Sequence, residues 1–399
     1  MKVFLVSGEF PPMQGGMGDY TRELGQELGA QRVEVHIITS VQGDSTPEGL
    51  TVHSLVKHWG WGCWRAITQL VKQEQPQVLH IQYQTAAYEM HPAINLLPWR
   101  MRLLSPRPRL VVTFHDLRVP YLFPKAGRVR QWVTKAIAAG CDALIATNQE
   151  DERTLRGWEF GARLTRIPIG PNITPQLPPE YEREAWRQNW GIEPETTLLG
   201  HFGFLNASKG AETLLRALNI LVKDGHDVHL LMVGGRVGSS DPSNIAYAQR
   251  MEELIEKLGL GEWIHWTGFT PQSEVSANLM ATDLAALPYR DGISFRRGSL
   301  MACLVHGLPI VSTRPSRRIP ELREEENVLL VPSNDPATLA RRLKDVMGND
   351  DLRQRLGEGA RLLAQHFTWP AIARKTVALY ERLLSASREA GGVERGVNE

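Results

Sequence analysis

Short apolar, β-branched runs alternate along the chain with longer stretches whose apolar positions recur at helical spacing. In the first half the strand-like runs cover residues 3–7, 33–39, 78–83, 110–115, 143–147 and 164–169, with helix-like segments such as 17–28, 63–73 and 129–139 between them. Strands that are apolar throughout, rather than alternating, are those covered on both faces. The pattern therefore predicts a parallel sheet wound on both sides by crossover helices. It breaks at "PIGPNITPQLPPEYE", where five prolines between Pro168 and Pro179 exclude a regular element. It resumes with strand-like runs at 198–204, 228–233, 264–267, 284–288, 309–312 and 328–331, and helices at 336–347, 351–366 and 369–384 close the chain. Two doubly wound α/β halves joined by a Pro-rich hinge are expected.

Length agrees with that division, since 399 residues exceed what one ordinary core organises. The formal net charge of +1 gives no support to a nucleic-acid partner. Cys63, Cys141 and Cys303 are far apart and show no metal-ligand spacing, which reads as a thiol-reduced, cytoplasmic protein. The apolar run at "MKVFLVSGEFPP" is too short for a signal-peptide core, and no run approaches the roughly 18 apolar residues that span a bilayer.

In doubly wound sheets ligands sit beyond the carboxyl ends of the strands, so the loops after strands carry the candidate chemistry. The first, "SGEFPPMQGGMGDYTREL", places Gly15 and Gly16 before a helix, where bare backbone and a helix N-terminus suit an anion or a sugar-phosphate. "VVTFHDLRVPYLFP" places His115 and Asp116 at a strand end, where a histidine can meet a substrate hydroxyl or cap the next element. "LLGHFGFLNASKGAETLLRAL" sets Asn206, Ser208 and Lys209 between a strand and a helix. A lysine at a helix start opposes the dipole unless a polyanion restores the balance. "DGISFRRGSLMACLVHGLPIV" carries Arg296 and Arg297 just ahead of a short helix that Ser299 could cap, with the amides of Gly298, Ser299 and Leu300 behind them. Guanidinium forks beside free amides suit a diphosphate.

The order and spacing of "EFPPMQGGMGDYTREL", "TFHD", "GFLNASKGAETLLRAL", "LLMVGG", "HGLPIVST" and "PEL" resemble the retaining glycosyltransferases of the GT-B fold, family 4, over nearly the whole chain. The resemblance implies two Rossmann-like doubly wound domains with a deep interdomain cleft. Residues 1–172 would form the acceptor domain and 173–368 the nucleotide-sugar domain, with a last helix at about 369–386 packing back on the first. It implies a sugar transferred with retention from a UDP-, GDP- or ADP-sugar to a sugar or lipid-linked acceptor, as in polysaccharide or glycolipid synthesis, with no cofactor and no metal. Carried over, His115 meets the transferred sugar, Lys209 and Arg296 the leaving diphosphate, and Gly15, Gly16, Asn206, Arg297, Gly298, Ser299, Leu300 and Glu321 the donor, with Asp19 and Asp116 toward the acceptor.

The family's Glu-x7-Glu pattern is varied, because Ser294 and Ala302 stand at the two glutamate positions and Phe204 where an arginine is usual. Arg296 or Arg297 would then supply the second cation at the phosphates. The ribose falls to Glu321, Ser299 or a backbone group, and the sugar to Asp291. The same departures suit an alternative, a catalytically silent GT-B module that binds a sugar nucleotide or acts as a scaffold. Between 90 and 141 nine Lys or Arg face one acid, Asp116, with Trp59, Trp61, Trp64 and Trp99 near in sequence. Such a face suits the anionic inner surface of a membrane, or is an ordinary solvated one.

Overall fold

The computed structural model describes residues 1–13, 16–42, 47–117, 127–235 and 242–393. They fall into two compact units, Met1–Gly170 with the chain from Thr368 onward, and Pro171–Phe367.

The first unit is built from β1 (Lys2–Ser7), α1 (Gly16–Ala30), β2 (Glu34–Ser40), β3 (Thr51–Val56), α2 (Cys63–Glu74), β4 (Val78–Tyr83), α3 (Ala93–Met101), β5 (Arg109–Phe114), α4 (Gly127–Gly140), β6 (Ala143–Ala146), α5 (Gln149–Gly157) and β7 (Leu164–Arg166). The second follows with α6 (Arg183–Gln188), β8 (Thr197–Phe202), α7 (Ala211–Lys223), β9 (Val228–Val233), α8 (Pro242–Leu258), β10 (Ile264–Trp266), α9 (Gln272–Ala281), β11 (Leu284–Leu287), α10 (Gly298–Val305), β12 (Ile310–Thr313), β13 (Leu329–Val331), α11 (Pro336–Met347) and α12 (Asp350–Ala364). The last helix, α13 (Trp369–Val393), returns to the first unit.

Both sheets are parallel, in the orders β3-β2-β1-β4-β5-β6-β7 and β10-β9-β8-β11-β12-β13. Each order reverses once, between β1 and β4 and between β8 and β11. At these points the crossovers leave in opposite directions and a crevice opens at the strand ends. Side chains alternate across each sheet. On β4, Leu79, Ile81 and Tyr83 enter one core with α2, α3 and α4, while Val78 lies in the other with α1 and α13.

Trp369, Ile372 and Tyr380 of α13 are buried in that second core, at about 1.5–3 kcal/mol for each large apolar side chain. Gly170 makes this possible, because a Cβ there would lie 2.6 Å from the Trp369 ring.

Among the details that differ from the sequence expectation are an extra strand and the cap of α10. β3 was not anticipated, because "TVHSLV" is a half-exposed edge strand without a solid apolar run. Ser299 does not cap α10, since Arg297 occupies the cap position with no side-chain bond and the Ser299 hydroxyl is 2.7 Å from that of Tyr289.

Candidate functional site

At the β8/β11 reversal two loops distant in sequence are brought together. β8 ends in a backbone turn through Gly203 and Gly210, both at positive φ, and a Cβ at Gly210 would collide with the Pro288 carbonyl oxygen just after β11. The amide of Arg290 donates to the Ser208 carbonyl at 2.9 Å, closing the two loops on each other. Asn206 shapes the first loop: its side-chain oxygen accepts from the Ser208 hydroxyl at 2.7 Å and the Lys209 amide at 3.2 Å. Lys209 therefore ends a short 3-10 turn rather than sitting in the first turn of α7, which starts after Gly210.

Lys209 is half-buried, and its ammonium donates to the Phe202 carbonyl at 3.3 Å. Burial, then the nearby Arg297 charge, pull its pKa from 10.5 to about 8. Arg297 is held from three sides. It donates to the Ser208 hydroxyl at 3.1 Å, pairs with Asp291, and stacks 4.8 Å over the buried Tyr289 ring. Asp291 is thus engaged by Arg297 within this loop. The first turn of α10 leaves the amides of Gly298, Ser299 and Leu300 without intrahelical partners. A Cβ at Gly298 would meet the Asn172 side chain at 3.1 Å, so this end of the helix is approached closely.

Arg296 is half-buried beside Arg297. Glu321 lies between β12 and β13, half-buried, and its carbonyl accepts from Asn327 at 3.0 Å. Ala302 is fully buried within α10 and its carbonyl accepts from His306 Nδ1, while the Ser294 carbonyl accepts from the Arg297 amide.

The β1/β4 reversal in the first unit is separate. Gly8 follows β1 where a Cβ would collide with the Ala87 carbonyl, so the chain passes bare at this point. Gly16 begins α1 with open space where a Cβ would be, and Gly15 lies outside the described residues. Asp19 in the first turn of α1 is 3.7 Å from Arg22. His115, one residue past β5, places Nε2 3.0 Å from the Gln82 side-chain oxygen and packs edge-on against Tyr20, ring centres 4.5 Å apart. Burial pulls its pKa down to about 3, so the imidazole is neutral across the physiological range. Asp116 follows, half-buried.

Sequence reading did not single out Gln82, Tyr289 or Asn172. For Gln82 a signal existed, since a His and a Gln alternating in "VLHIQY" are costly in a doubly covered strand. Among the described residues no group of three or more His, Cys, Asp or Glu is arranged to hold a metal ion, and no helix is long and apolar enough to cross a membrane.

Residues 182–363 match the family model of the glycosyl transferases group 1, and residues 15–170 that of a glycosyl transferase 4-like domain. A D-inositol 3-phosphate glycosyltransferase of Corynebacterium jeikeium is 30% identical over 262 residues, 64% of this chain and 60% of that one. The protein of the same name from Corynebacterium diphtheriae is 26% identical over 95% of this chain and 94% of its own length. The crystal structure of Anabaena HepE in complex with UDP has a TM-score of 0.74 at 17% identity, over 96% of this chain and 100% of that one, a likeness of fold.

Two parallel Rossmann-like units, with cations gathered at the second one's strand reversal, are the arrangement of the GT-B fold. Within it the chain belongs to the glycosyl transferases group 1 family.

Proposed function

We propose that the protein transfers a sugar from a nucleoside-diphosphate sugar to an acceptor hydroxyl, with retention of configuration and without a metal ion or other cofactor. The observation that carries this reading is the pairing of Lys209 with Arg297. Two cations are drawn together in a partly desolvated loop pair, at a cost large enough to depress the lysine pKa to about 8. An arriving diphosphate would offset that cost.

Charge building on the departing phosphates is the main barrier to such a transfer, so Lys209, Arg297 and the α10 amides would act where charge develops. Arg296 adds to that field. Arg297, reaching the Lys209 loop through Ser208, would serve for the arginine that Phe204 replaces. The leaving phosphate itself would accept the acceptor's proton. Neutral His115 would contact the transferred sugar, with Gly16 beside it and Asp19 and Asp116 toward the acceptor. Ser299 and Glu321 would serve the ribose.

HepE is solved with UDP and with UDP-glucose, which puts UDP-sugars first among the donors to try. The relatives' name puts D-inositol 3-phosphate among the acceptors. The test is a panel of UDP-, GDP- and ADP-sugars read by thermal shift and by release of the nucleoside diphosphate. At least one donor should bind and turn over, and binding by none would refute the reading. One observation favours the silent module instead, since the buried Ala302 has no side chain able to reach a ligand. Binding without turnover across varied acceptors would establish it.

A second part of the proposal concerns location at the cytoplasmic face of a membrane. Helices α3 and α4 pack together, and Trp99 and Arg100 on α3, Arg102 and Leu103 just after it, and Trp132 on α4 stand exposed. Exposed aromatics amid cations suit an anionic lipid surface, at about 1 kcal/mol per basic residue. The chain should sediment with phosphatidylglycerol vesicles at low salt and be released at high salt. Failure to sediment at low salt would remove the membrane from the proposal.

A further inference from the structure

The inner face of β4 carries two polar side chains where apolar ones would be cheaper. His80 and Gln82 lie two residues apart on the face toward α1 and α13, and neither is exposed. His80 is fully used: Nδ1 lies 2.6 Å from the Tyr380 hydroxyl of α13 and Nε2 2.7 Å from that of Thr113 on β5. It ties two strands to the last helix, and a structural role accounts for it.

Gln82 is different. Its side-chain oxygen is 3.0 Å from His115 Nε2, but its side-chain nitrogen, buried, has no partner among the described residues. A buried amide donor left unpaired lowers stability, whereas a leucine in a fully covered strand would raise it. Packing alone therefore does not explain the glutamine.

We infer that Gln82 is a positioning residue, whose side-chain carbonyl accepts the Nε2 proton of His115 and so holds the imidazole in the tautomer that leaves Nδ1 as a hydrogen-bond acceptor for a sugar hydroxyl. The inference rests on the reading of His115 as the residue that meets the transferred sugar. The oxygen can only accept, so the ring nitrogen facing it must carry the hydrogen. Tyr20, edge-on at 4.5 Å, fixes the plane of the same ring. Burial keeps the ring neutral, so one nitrogen remains a lone-pair acceptor at working pH.

The test uses the full chain labelled with 15N-histidine, with tautomers read from long-range proton–nitrogen correlations and His115 assigned by its loss in His115→Asn. Wild type should show His115 protonated at Nε2. Gln82→Leu should mix the two tautomers while melting at or above the wild-type temperature. Gln82→Glu, which keeps an acceptor oxygen, should retain the Nε2 tautomer and make His115 titrate at higher pH. With a donor that turns over, Gln82→Leu should lower kcat about tenfold with KM little changed, the scale of one neutral hydrogen bond lost in the transition state, and Gln82→Glu should recover part of it.

An Nδ1-protonated His115 in wild type, or an unaltered tautomer in Gln82→Leu, would overturn the inference. If the leucine variant does not fold, Gln82→Met gives the same reading. The tautomer needs no substrate, so an absence of turnover with every donor would count against the transferase reading and not against this one.

Discussion

Replacing Lys209 by methionine should stabilise the free protein and weaken its hold on a nucleoside diphosphate. The pKa falls from 10.5 to about 8 on folding. At about 1.4 kcal/mol per pH unit that is a ceiling of about 3 kcal/mol of destabilisation at pH 7. The side chain is half-buried, and solvent screening brings this to about 2 kcal/mol. Methionine keeps the stem but forfeits the bond to the Phe202 carbonyl, a loss of about 1 kcal/mol. The net gain is about 1 kcal/mol, a rise in Tm of about 2–4 °C for a unit of this size.

The sign with pH is fixed. Between pH 8 and 10.5 the unfolded chain alone keeps the proton, so wild-type stability rises through that window and the advantage of the variant fades. Binding moves the other way, because a lost charge-assisted hydrogen bond is worth about 1.5–3 kcal/mol, roughly a 10- to 100-fold weaker Kd. Urea unfolding at pH 7 and pH 10 with UDP titration calorimetry measures both. A variant less stable than wild type at pH 7, or one that binds UDP equally well, would refute the account of the site.

Two further predictions concern the frame of the sites. Gly210→Ala puts a Cβ into the Pro288 carbonyl at a φ of +73°, so the second unit should lose about 2–4 kcal/mol and UDP affinity should fall with it; an unchanged urea midpoint would deny that the two loops are in close contact. Acid should destabilise both units, because fully buried His80 and His201 have pKa values lowered by burial to about 3 and about 4. Stability is full above pH 6.5 and falls below it as the unfolded chain takes up protons first. Between pH 6.5 and 5 each histidine should cost about 2 kcal/mol, read from urea midpoints, and equal stability at pH 7 and 5 would contradict their burial as neutral groups.

The elements legible from sequence were those whose own residues carry the signal. "VLHIQY" and "VHLLMV" are short, β-branched and largely apolar runs of strand length, and Pro336 at the start of α11 marks a helix beginning. α5 escaped notice because "QEDERTLRG" is almost wholly polar; its start is set by the Asn148 side chain, which accepts from the Asp151 amide. α3 was hidden by Pro98 within it. Of the candidate site, Lys209 and the Arg296–Arg297 pair could be picked out as cations against helix starts. That Arg297 is the one clasped to the Lys209 loop, with Tyr289 beneath it and Asp291 beside it, could not.

The amino-acid order by itself determined the alternation of strands and helices, the break near the prolines and the kinds of side chain that follow each strand, because these depend on neighbours within a few residues. Which strands lie side by side, and so which loops meet, was decided by the folded sheet. β8 and β11 are separated by three crossovers, and a parallel pairing between them leaves no periodic mark in either segment. The depressed lysine pKa and the hold of Gln82 on His115 have the same origin. Both arise from charge, burial and hydrogen bonding between residues far apart in the chain, and those interactions exist only once the sheet has brought them within a few ångströms.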